Sequence, residues 1–203
     1  MSKSYKTIFR LCIIGGFVLG CGPTQKYPKN WPSLSDFPQR TLEDFNQGLF
    51  ENKGLDAKNH VVYLSDLLLR FSPEPKSPKD QTTINELFVS LRSKPEVRLS
   101  ASDDNRIFVD FISENKTTHF NIDDGPNKIK RQEGHLLVET SRFISRELVT
   151  ERWRFSIAFY RFGNDLYINT KDESTGLMVL FPAWTRESTW CRFRGIKPSM
   201  PNP

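Results

Sequence analysis

The sequence predicts an α+β fold: short N-terminal helices followed by an antiparallel β-meander, either a curved open sheet or a small barrel. Three observations lead there. Residues 83–95 carry a complete helix signature. After Pro95 the apolar pattern breaks into strand-length runs separated by turn chemistry at roughly 8–12-residue spacing. Aromatic residues make up 12% of the 203-residue chain and include 16 Phe, enough large apolar side chains for one core.

The first 21 residues read as an export signal. Lys3, Lys6 and Arg10 precede the apolar run Leu11-Cys12-Ile13-Ile14-Gly15-Gly16-Phe17-Val18-Leu19. A secretory signal takes a positive tip, about 7–15 apolar residues and small residues at the cleavage site, whereas a spanning helix needs about 20 apolar residues. Val18-Leu19-Gly20-Cys21 closes the run and resembles the lipobox of bacterial lipoproteins. The resemblance covers residues 1–22. It implies that signal peptidase II cuts before Cys21, that the Cys21 thiol carries diacylglycerol, and that the new amine receives a third chain of the palmitate type. Gly22 follows instead of the Asp that marks inner-membrane retention in many such proteins, so the periplasmic face of the outer membrane is favoured in a source with two membranes. A single acyl chain binds a bilayer reversibly, and two or three hold a protein essentially permanently. Removing 20 of the 203 residues leaves 183, and the loss of three cations lowers the net charge from +5 to +2. That balance and the export signal both argue against a nucleic-acid binder.

Residues 21–38 form a proline-rich tether in which Pro23, Pro28, Pro32 and Pro38 disfavour helix and strand interiors. Trp31, Leu34 and Phe37 are its apolar members, suited either to docking on the domain or to the lipid interface. Residues 39–95 are expected to be mainly helical. Thr41 with Asp44 resembles a capping box, and Leu42, Phe45 and Leu49 share one helical face. From His60 to Phe71, Val61, Leu64 and Leu68 suit a helix, with a buried strand as the alternative. A proline-rich loop over 71–80 precedes the clearest helix. There Thr83 and Glu86 form a full capping box, Ile84, Leu87, Phe88 and Leu91 fall at i, i+3, i+4 and i+7, and Pro95 lies just beyond the end.

The meander occupies residues 96–198 and packs with 39–95 as one domain. Strands are expected over Arg106–Ile112, Lys116–Ile122, His135–Ser141, Arg152–Phe162, Leu166–Thr170, Leu177–Phe181 and Trp190–Arg194. Gly163-Asn164-Asp165 signals a tight turn, and Asp172-Glu173-Ser174-Thr175-Gly176 is read as another.

The candidate chemistry is sparse. His60, His119 and His135 are never at i, i+4 spacing, and no cluster supplies three or four metal ligands. Asp123-Asp124-Gly125 and Asp103-Asp104-Asn105 match hairpin turns better than calcium loops. No Gly-x-Ser-x-Gly elbow is present, and neither is a Cys with a plausible base. With Cys12 removed and Cys21 acylated, Cys191 is left alone and is expected to be a small buried hydrophobe. No cofactor is expected.

Two sets of residues stand out. Arg152 and Arg154 alternate with an aromatic face, and Arg192 and Arg194 share a face with Trp190. Together the four arginines are a candidate anion site, because guanidinium forks match phosphate and carboxylate oxygens. Trp153, Phe155, Ile157 and Phe159 form the second set, a candidate apolar cavity extended by Leu177, Val179 and Phe181. The favoured expectation is a lipid-anchored envelope protein with a non-catalytic binding or scaffolding role, meeting an envelope protein or an anionic glycan or lipid. A lipocalin-like carrier of a small apolar ligand is the alternative, and an envelope polymer hydrolase the third.

Overall fold

The computed structural model describes residues 24–37, 48–72, 85–87, 89–102, 105–123, 125, 127–132, 134–146, 149–178 and 181–197. The lipobox, Thr41, Leu42, Asp44, Phe45, Thr83, Ile84, Phe88, Asp103, Asp104, Asp124 and Val179 lie outside these residues. Among the described residues the chain is mostly antiparallel β-sheet with a few short helices. Strands β1 (Gly48–Glu51), β4 (Glu96–Ser102), β5 (Arg106–Ser113) and β6 (Lys116–Asp123) form one sheet in the order β1-β4-β5-β6. The second sheet contains β2 (Lys53–Asp56), β3 (Val61–Tyr63), β7 (Asn127–Gln132), β8 (His135–Arg146), β9 (Val149–Phe162), β10 (Asp165–Met178) and β11 (Phe181–Phe193). Its order is β3-β2-β11-β10-β9-β8-β7.

From β4 to β11 the chain is a meander, since each strand within a sheet pairs with its sequence neighbour. The sheets do not close into a barrel: β6 and β7 are consecutive in sequence but belong to different sheets. At the other junction the chain just after β11 meets β1, through a Phe50–Gly195 bridge and the Glu51 N–H donating to the Arg194 carbonyl at 2.9 Å.

The period-2 pattern sets the core. Val97, Leu99, Ile107, Val109, Phe111 and Ile122 of the small sheet face Leu136, Val138, Phe155, Ile157, Phe159, Leu166, Ile168 and Phe193 of the large one in a single buried cluster. Gly54 is required where β2 crosses β11. A Cβ there would stand 2.4 Å from the Arg192 carbonyl oxygen and 2.5 Å from the Phe193 ring.

The helix-first expectation needs correction. Residues 39–95 contribute β1, β2 and β3, and Leu49 lies in strand β1, not on a helical face. These strands are only three or four residues long, too short to print a clear alternation, with β1 and β3 at sheet edges and β2 between β3 and β11. The His60–Phe71 region resolves into both alternatives: β3, then helix α1 (Leu64–Leu68) and a 3₁₀ turn over Leu69–Phe71. The 83–95 helix is present over 85–87 and 89–92, with Leu91 buried. Leu64, Leu68, Leu69, Phe71 and Leu91 join the shared core.

A second correction concerns Asp172–Gly176, which forms no turn. All five residues lie in β10, paired with β9 on one side and β11 on the other. The three strands run 13 or 14 residues, well beyond the packed core rows, and a strand segment with little to cover needs no apolar face. The Gly163-Asn164 turn is as expected, with Gly163 at φ 60° joining Phe162 to Asp165.

Asn52 locks the β1–β2 junction to the helices. Its amide donates to the carbonyls of Leu91 (2.9 Å) and Lys94 (3.0 Å), and its side-chain oxygen accepts from the Ser65 N–H at 2.9 Å. Asn52 is 1% exposed, so no water replaces a lost partner. Asn52→Ala is therefore expected to cost roughly 3 kcal/mol, because three buried groups lose their bonds. A urea titration should show the lower midpoint, and an unchanged midpoint would contradict this role.

Candidate functional site

The outer face of the large sheet should be polar, yet Trp190, Tyr167 and Ala158 on it are buried. The cover is the proline-rich N-terminal segment. Thr24 forms a parallel bridge to Ser188, and the Gln25 N–H donates to the Ser188 carbonyl at 2.9 Å. Tyr27 meets Trp190 edge-on at 4.8 Å, and Trp31 meets Tyr167 at 5.3 Å. Phe37 stands within 5.3–5.7 Å of Tyr167, Phe162 and Tyr160 and is itself 6% exposed. The Tyr27 hydroxyl donates to the Pro32 carbonyl at 2.5 Å and folds the segment on itself. Burial, with the neighbouring Tyr167 hydroxyl and Asp36, pushes the Tyr27 phenol up to about 12.

Residues 24–37 are therefore a strap and not a free spacer. It lies across β9, β10 and β11 and builds a second aromatic core outside the first. Its prolines suit this use: they hold the backbone extended and remove amides that the crossing could not pair. Of the three apolar candidates, Trp31 and Phe37 dock and Leu34 is 46% exposed.

Between the strap and the β2–β11 edge lies an open groove of about 380 Å³, lined in part by Trp31, Lys53, Leu55, Arg192, Arg194 and Glu51. Arg192 is held in place by Asp165, at 2.9 Å through Nε and 2.5 Å through Nη2, and lies 5.7 Å from the Tyr167 ring centre. The side-chain hydrogen bond to Asp165 raises the Arg192 pKa above its ordinary value, so this charge is permanent. Arg194 is 3.7 Å from Glu51 and 76% exposed. Asp56 at the end of β2 ties the strap to this edge: its carboxylate accepts from the Lys58 and His60 N–H groups, both at 2.8 Å, and from the Gln25 side-chain amide at 3.3 Å. Burial pushes the Asp56 carboxyl up, but those hydrogen bonds and the His60 charge outweigh it and hold it below the usual range.

The four arginines do not form one site. Arg192 shares its register row with Tyr167 and Tyr160. Arg154 and Arg152 stand six and eight residues along β9 from Tyr160, which at 3.3 Å per residue is roughly 20 and 26 Å away. All four are exposed on the same face, but in two separated pairs.

Phe155, Ile157 and Phe159 are buried on the inner face, with Trp153 packed against the cluster. The Trp153 indole donates to Asp172 at 2.6 Å, and Asp172 also holds Arg70 at 2.6 Å. The core cavity that includes Phe159 in its lining measures about 20 Å³, room for one water. Of the histidines, His60 pairs with Asp56, His119 lies 2.8 Å from Asp110, and His135 stacks on Tyr160. Among the described residues no three His, Cys, Asp or Glu side chains converge as metal ligands. Cys191 is buried, and desolvation pushes its thiol up to about 12.

No family model matches the chain, and no curated protein matches it. Among solved structures, secretory abundant heat soluble protein 4 from Ramazzottius varieornatus aligns over 77% of this chain and 97% of its own, at 14% identity and a TM-score of 0.27. A likeness that slight assigns neither fold nor function.

The strap's docking has a simple test. Phe37→Ala is expected to cost about 3 kcal/mol, as for other buried aromatic truncations. It should also open Lys26 and Lys29 to trypsin while the sheet stays resistant. Cleavage at those sites as fast in the parent protein as in the variant would contradict docking.

Proposed function

We propose that the protein is a lipid-anchored envelope lipoprotein with a non-catalytic binding role, held by acyl chains on Cys21 and binding an acidic glycan in the strap–β11 groove. The observation that carries the binding role is the groove itself. It sets Lys53, Arg194 and Arg192, the last held by Asp165, against one lining carboxylate, Glu51, beside the partly buried Trp31 indole. Guanidinium forks suit sugar carboxylates, and an indole face suits a sugar ring. At about 380 Å³ the open groove has the volume of a ligand site. The core cavity of about 20 Å³ is far too small for an apolar passenger, so the carrier reading draws no support from it.

The strap supports the anchoring half of the reading. It ties the domain to a point three residues from Cys21, so a lipid on that cysteine would hold the domain close to the bilayer. Localisation at the periplasmic face of an outer membrane rests on Gly22 and belongs to the same reading.

Two measurements test it. Protein extracted from membranes is expected to carry the mass of diacylglycerol and a fatty acid on Cys21, and Cys21→Ser to lose both that mass and membrane retention. Calorimetric titration with a uronic-acid oligosaccharide is expected to show binding that Lys53→Gln with Arg194→Gln weakens about tenfold, the loss of roughly two exposed charge contacts. Equal binding of a neutral oligosaccharide, or no effect of the two substitutions, would contradict the groove assignment.

A further inference from the structure

The strap runs parallel to β11. Thr24 lies beside Ser188, Tyr27 on Trp190, and Trp31 on Tyr167, which pairs with Arg192. Thr24 is thus the end of the strap nearest Arg186 and Trp184, two and four residues back along β11 from Ser188. Three residues of chain reach at most about 11 Å, and Ser188 to Trp184 is about 13 Å of strand. An anchor at Cys21 therefore lies within about 11 Å of the Thr24–Ser188 bridge.

The Trp184 end of the large sheet has an unusual outer face. Cross-strand register puts Phe143, Arg152, Thr175 and Trp184 in one row across β8, β9, β10 and β11. The next row inward is Ser141, Arg154, Glu173 and Arg186. Phe143 is 68% exposed and Trp184 37% exposed, and Arg152, Arg154 and Arg186 are also exposed. Three guanidinium groups face one carboxylate, Glu173, which pairs with Arg186 at 3.1 Å. Aromatic rings beside arginines match a membrane interface, where indoles sit at headgroup depth and cations meet anionic lipid.

We propose that this end of the β8–β11 ribbon, formed by Phe143, Arg152, Arg154, Trp184 and Arg186, docks on the anionic headgroups of the bilayer that holds the acylated Cys21. Arg192 lies eight residues from Trp184 on β11, so the groove opens roughly 26 Å away. The two separated arginine pairs thus serve different ligands: Arg152 and Arg154 the lipid, Arg192 and Arg194 the groove. The inference rests on acylation at Cys21.

Nitroxide labels in the acylated full-length mature protein test it, in vesicles of phosphatidylcholine with and without phosphatidylglycerol. Phe143→Cys and, separately, Trp184→Cys carry the label at the docking end, and Lys53→Cys at the groove. Cys191 is 1% exposed and does not compete for reagent. The expected result is oxygen-accessible, nickel-shielded labels at 143 and 184 and a water-exposed label at 53, with deeper immersion in the anionic vesicles. Each arginine near an anionic leaflet contributes about 1 kcal/mol, or about fivefold. Arg152→Gln, Arg154→Gln and Arg186→Gln together should therefore lower the docked-to-undocked ratio by roughly 100-fold. Labels at 143 and 184 as aqueous as the one at 53 would overturn the docking. Intact mass separates the two readings: an unacylated Cys21 sinks the anchor, whereas an acylated chain with aqueous labels sinks only the docking.

Discussion

The packing of the strap across the outer face of β9, β10 and β11 is the contact on which the functional geometry depends. It buries Tyr167 and Trp190, residues that would otherwise leave an aromatic patch open to solvent. It forms one wall of the groove through Trp31 and is tied to β2 through the Gln25–Asp56 hydrogen bond. It also fixes where the N-terminal residues approach the sheet. Aromatic pairs add about 0.5–1.5 kcal/mol each beyond their buried area, and the strap makes five such contacts with the sheet. A segment held this way behaves as part of the fold.

The main core follows from simpler rules. Alternating burial along β4, β5, β8 and β9 gives each sheet one core-facing side, and the two sides close on each other with α1 and the Leu69–Phe71 turn included. The long strands then run on past the core. Their far ends carry Asp172, Glu173, Ser174 and Thr175, which pair as β-structure without burying an apolar face. The proposed division of labour uses that length: anchoring at one end of the ribbon and ligand binding at the other.

Much of the meander was legible in the sequence because burial on one face imposes period 2. Phe155, Ile157 and Phe159 announced their strand, and Gly163-Asn164 announced its turn. Strands β1, β2 and β3 were not legible, because three or four residues cannot establish a period and their pairing partners are far off in sequence. Asp172–Gly176 misled because turn-type residues also occur in strands, where Asp172 and Ser174 bond polar partners, Arg70, Trp153 and Glu151, instead of packing apolar groups. Arg152 and Arg154 were placed on the correct face but could not be ranged against Arg192 and Arg194, since strand register fixes that distance and composition does not. The sequence left the strap open between docking on the domain and the lipid interface, because its partners Tyr160, Tyr167 and Trp190 are distant in sequence. Tyr27, Trp31 and Phe37 in a proline-rich stretch were the available signal, as a free spacer gains nothing from three aromatic rings.

Hydrogen exchange at the Gln25 amide tests the docked strap most directly. That amide donates to the Ser188 carbonyl and connects the strap backbone to β11. The account predicts slow exchange at Gln25, comparable to the β11 amides and far below the rate of an open proline-rich chain. Exchange at the unprotected rate, while β11 stays protected, would mean that the strap is a loose tether, and it would remove both the groove wall and the fixed anchor point.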